Sequence, residues 1–69
     1  MTQEEYSIID FLKRSPDASF ARKEIARKAV RRSFYEENPH WVDQPLAALV
    51  AKGMVETDDS GFYRFTKRG

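Results

Sequence analysis

Two groups of side chains in this sequence are spaced for chemistry: a run of cations, and a cluster around the one histidine. Arg22, Lys23, Arg27, Lys28, Arg31 and Arg32 fall close together. On a helix, Lys23, Arg27, Lys28 and Arg31 project to the side opposite the apolar residues. Flexible cations along one face suit a row of phosphates, because each contact adds a salt-dependent increment of affinity. The same run also reads as the ordinary solvated face of a surface helix. The second cluster is weaker. His40 has only Glu36, Glu37 and Asp43 near it in sequence, a poor ligand set for a metal. Glu36 and Glu37 diverge on a helix and make no acid–base pair. The chain has no cysteine, no Ser-x-x-Lys and no Gly-x-Ser-x-Gly. Neither an enzyme nor a metal or other cofactor is therefore expected. Tyr35 and Trp41 flank Asn38-Pro39-His40, where they could stack on bases, fill a partner's pocket or simply cover an irregular turn.

Charge is strongly segregated behind a net value of +1. Residues 1–12 carry −3, residues 13–32 carry +6, residues 33–59 carry −5 and residues 60–69 carry +3. The basic block is dense enough to build a local positive field. Sixty-nine residues fit one small domain, residues 1–69, with a thin core and no room for a large substrate cleft. No apolar run approaches the roughly 20 residues that span a bilayer. The start, Met1-Thr2-Gln3-Glu4-Glu5, is acidic and lacks the basic opening of a signal peptide. With no cysteine to oxidise, a cytoplasmic location is the expectation.

The elements that must position these residues can be read in order. Thr2-x-x-Glu5 is a capping box for a first helix from about Gln3 to Arg14, with Ile8, Ile9 and Leu12 on its buried stripe. Ser15-Pro16-Asp17 ends it. Ala18-Ser19-Phe20 can add one short edge to a small sheet. A second helix starts near Arg22 behind a poor cap, Ala21, and buries Ile25, Ala26, Ala29 and Val30. Residues 31–37 could extend that helix, with Phe34 continuing its stripe. Asn38-Pro39 reads as a helix start, so a third helix would run from Pro39 to Lys52. Pro45 opposes an unbroken helix there. Either the helix kinks at Pro45, or residues 39–42 form a turn and a helix capped by Asp43 carries Pro45 in its first turn; the second is preferred. Val42, Leu46 and Leu49 give the buried face, and Gly53 the stop. Residues 54–57 and 62–66 form two antiparallel strands around the loop Asp58-Asp59-Ser60-Gly61, with Gly61 at positive φ.

With Glu24-Ile25-Ala26, Val42-x3-Leu46-x2-Leu49-x3-Gly53-Met54-Val55 and Tyr63-Arg64-Phe65-Thr66, the chain resembles the winged helix-turn-helix superfamily over residues 3–66. The resemblance implies a mostly α fold with a small antiparallel hairpin wing, in the order α-β-α-α-β-β. It also implies a regulator-like domain that binds double-stranded DNA. The third helix would enter the major groove with His40, Trp41, Asp43 and Gln44 near its start. Lys23, Arg27, Lys28, Arg31 and Arg32 would lie on the backbone. Arg64, Lys67 and Arg68 would extend from the wing. The alternative is a module of the same fold that docks a protein through Tyr35 and Trp41. Three departures stand out. The interval from Ala26 to Val42 is 16 residues, longer than the compact motif's, so the turn between its two helices is enlarged. The third helix has no Arg or Lys before Lys52, and the commonest base contact is Arg or Lys to guanine. The wing tip is Asp58-Asp59, which would repel phosphate.

Overall fold

A computed structural model of the chain describes residues 1–66. Four helices pack on a three-stranded antiparallel sheet: α1 (Gln3–Lys13), β1 (Phe20–Ala21), α2 (Arg22–Lys28), α3 (Arg32–Glu37), α4 (Asp43–Ala51), β2 (Val55–Thr57) and β3 (Phe62–Phe65). The sheet order is β1-β3-β2, so the last strand is central. Phe20 lies opposite Tyr63, and Val55 opposite Phe65. The core is Ile8, Ile9 and Leu12 of α1, Ile25 and Ala26 of α2, Val42, Leu46 and Leu49 at α4, and Val55. These are the residues whose 3.6-residue spacing marked the apolar faces.

Local signals account for most ends. At α1, the Glu5 amide donates to Thr2 Oγ1 at 3.2 Å and the Thr2 amide donates to Glu5 Oε1 at 2.7 Å, the reciprocal capping box. Ala21 caps α2 with no side-chain bond. Gly53, at φ 77°, closes α4. Its amide donates to the Val50 carbonyl and the Met54 amide to the Leu49 carbonyl, both at 3.0 Å, which satisfies two free carbonyls of the last turn. At the hairpin, Gly61 takes φ 83° as expected. Asp58 Oδ1 accepts from the amides of Ser60 at 2.9 Å and Phe62 at 3.1 Å, which fixes the loop.

Three expectations are corrected. Residues 31–37 do not extend the second helix. Arg31 is extended, with φ −65° and ψ 148°, and α3 is a separate short helix. The observed order is therefore α-β-α-α-α-β-β, with one helix more than α-β-α-α-β-β. The cause lies fifteen residues away. The Trp41 Nε1–H donates to the Ala26 carbonyl at 2.9 Å. That carbonyl would receive the amide of residue 30 if α2 continued. Trp41 takes the place of that amide and stops the helix. Second, Asn38 starts no helix. It closes α3, its amide donating to the Phe34 carbonyl at 2.9 Å. Third, Asp43 is the first residue of α4 and not its cap, which is Val42. Pro45 does fall in the first turn, where its missing N–H leaves no gap in the ladder.

Candidate nucleic-acid interface

The basic run forms a shoulder at the end of α2 and the start of α3. Lys23, Arg27, Lys28, Arg31 and Arg32 are all exposed. Breaking α2 at Arg31 turns α3 back, so Arg27, Lys28 and Arg32 line one cleft of about 530 Å³ with Tyr35 and Glu36. Two of the cations are paired within their own helices. Lys28 Nζ lies 3.1 Å from Glu24 Oε2, and Arg32 Nε lies 3.1 Å from Glu36 Oε2. Both pairs are solvent-exposed i,i+4 contacts worth about 0.3–0.5 kcal/mol each, so an incoming phosphate can displace the carboxylates. Lys23, Arg27 and Arg31 have no acidic partner among the described residues.

The start of α4 is different in character. His40 and Gln44 are exposed. Asp43 sits between the Arg22 guanidinium, at 3.6 Å from Nη1, and the His40 ring, at 3.8 Å from Nδ1. Trp41 is half-buried; its one polar atom is bound to α2, and its ring meets Phe34 edge-on at 5.9 Å. Tyr35 is half-buried as well and packs on the core. Neither aromatic projects freely, and the exposed ring of this segment is Phe34, at 38 %. In the hairpin, Arg64 Nε lies 2.9 Å from Glu56 Oε1 across the strands. Asp58 serves the loop and Asp59 is exposed beside it. Lys67 and Arg68 lie outside the described residues.

One ion pair was not anticipated. Glu5 is buried, at 4 % exposure, yet carries its charge. Lys52 Nζ donates to Glu5 Oε2 at 2.8 Å, and that bond, helped by the Thr2 amide, holds the carboxyl well below its ordinary value, at about 2. Burial pushes the carboxyl the other way, but by less than either of these two bonds lowers it. The sequence did hold a sign of it. Glu5 lies on the stripe of Ile8, Ile9 and Leu12, where a lone carboxylate needs a partner.

A second surface opens beside α4. Phe34, Pro39, Trp41, Pro45 and Ala48 line an open groove of about 910 Å³ together with the polar Thr2, Glu4, Glu5, Asn38, His40 and Gln44. Among the described residues no cluster of three or more His, Asp or Glu could hold a metal ion. No helix among them is long and apolar enough to cross a membrane. No protein-family model, curated protein or solved structure matches the chain.

Proposed function

We propose that this chain is a winged helix-turn-helix domain that binds double-stranded DNA. The α2–α3 shoulder lies on the phosphates, α4 lies along the major groove, and the β2–β3 hairpin is the wing. The observation that carries the reading is the shoulder itself: Arg27 and Arg31 are exposed and unpaired, with Lys28 and Arg32 held only by weak surface contacts beside them. The element order and the pairing of β1 with β3 support the fold assignment. The extra helix α3 accounts for the long interval between Ala26 and Val42 and brings cations to that side.

The test is an NMR titration with short duplex DNA at two salt concentrations. Amides of residues 23–35 should shift. If Arg27, Lys28, Arg31 and Arg32 each meet a phosphate, log K falls with log salt at a slope of about −3.6, so a fourfold rise in salt weakens binding about 150-fold. Arg27→Glu with Arg31→Glu should abolish binding. No shift at low salt with excess duplex would sink the reading.

One observation favours a second reading, a protein-interaction module. Apolar Phe34, Pro39 and Trp41 line the open groove together with Glu4, which suits an apolar peptide carrying a cation. If duplex DNA perturbs nothing, Phe34 is the first residue to change in binding assays with protein partners, ahead of Tyr35 and Trp41.

A further inference from the structure

The outward surface of α4 bears on what kind of DNA the domain would take. Reading a base pair in the major groove needs donors and acceptors aimed at base edges, or an apolar contact to a thymine methyl. The residues that α4 exposes are Asp43, Gln44, Ala47 and Ala51. Ala47 and Ala51 carry no hydrogen-bonding group in their side chains and offer at most an apolar contact to a thymine methyl. The Asp43 carboxylate is engaged by Arg22 and faces His40, and outside a cytosine contact it would repel the duplex. Lys52, the only cation at α4, sits at its far end and is held by Glu5 at 2.8 Å. Gln44 is thus left as the one free reader on the helix, with His40 in the turn before it. Arg22 reaches this end of α4 from the start of α2 but is engaged by Asp43 at 3.6 Å; the other cations of the run gather toward the α2–α3 shoulder, where contacts position a duplex without reporting its sequence.

We infer that the domain binds duplex DNA with little or no sequence preference: the α2–α3 shoulder grips the backbone, while the alanine face of α4 occupies the groove and reads at most a thymine methyl. This rests on the DNA-binding reading above. Sequence-specific modules prefer their sites by about 10³–10⁷-fold over other DNA. Here the spread between duplexes should stay under about tenfold, the scale of one good bidentate contact.

The experiment is selection from a random pool of short duplexes of one length, followed by anisotropy titrations of the starting and selected pools. The expected result is a selected pool that binds within about tenfold of the starting pool, with the same salt slope. Emergence of a motif bound about 100-fold or more tightly would overturn the inference while leaving DNA binding intact. Failure of every duplex to bind at low salt would overturn the DNA-binding reading itself. Ala47→Arg gives an independent check, since it adds the missing kind of side chain to the exposed face. Selection with this variant should enrich guanine at one position. Equal tightening of all duplexes would mean that α4 lies outside the groove, against the inference.

Discussion

Replacing Trp41 by phenylalanine removes the indole N–H together with one of the two fused rings, and keeps an aromatic ring against Phe34. In the native domain that N–H occupies the Ala26 carbonyl at 2.9 Å and tethers the 38–42 turn to α2. A carbonyl left unpaired away from water costs about 1–3 kcal/mol. Ala26 is buried, at 2 % exposure, so the whole range of about 1–3 kcal/mol applies to its freed carbonyl. A chain of this length holds only about 3–10 kcal/mol in total. For a domain this small each kcal/mol moves the melting temperature by about 4–8 °C, so Trp41→Phe should melt about 4–24 °C below the parent. Circular dichroism gives the melt, and amide shifts give the location. The largest changes should fall at residues 26–31 and 34–41, where α2 ends and α3 packs. A variant that melts with the parent and shifts only its immediate neighbours would refute the claim that this bond ends α2.

Glu5→Gln keeps an acceptor at the third position of the capping box but removes the charge opposite Lys52. Because the carboxyl is held at about 2, below its ordinary 4.5, its contribution is present above about pH 4.5 and lost as pH falls toward 2. The variant should be less stable at neutral pH and converge with the parent near pH 2; parallel acid-unfolding curves would refute the pairing. Gly61→Ala meets no atom within 4 Å of the new Cβ, yet must hold φ 83°. It should cost about 1–2 kcal/mol, with Gly61→Asn costing less because Asn tolerates the left-handed region. Equal stability of the three proteins in denaturant would argue against that turn.

Legibility in the sequence followed the range of the interaction. Thr2-x-x-Glu5, Pro45 in a first turn, Gly53 and the 58–61 loop are each decided by contacts within a few residues, and each forms as the local signal said. The break after α2 was not legible, because it is set by an indole fifteen residues further on. Asn38-Pro39 misled because asparagine serves either end of a helix, and the choice depended on Phe34 being the last helical turn. The basic shoulder was visible as a run of residues, but not that α3 would fold back to gather Arg32 beside Arg27. The exposure of Phe34, in place of Tyr35 and Trp41, followed from the same break.

The strand order also has a consequence for how the chain comes off the ribosome. β3, the last strand described, is the only one that pairs with both others. β1 is made 41 residues before its partner begins, an interval of about 2–8 s at a synthesis rate of about 5–20 residues per second. Through that time Phe20 and its neighbours have no strand to join, and the helices must gather without a sheet beneath them. Once β3 arrives, it zips β1 and β2 together in one event. A chain released just short of residue 62 would thus lack the entire sheet, not one edge of it, and would leave both earlier strands unpaired.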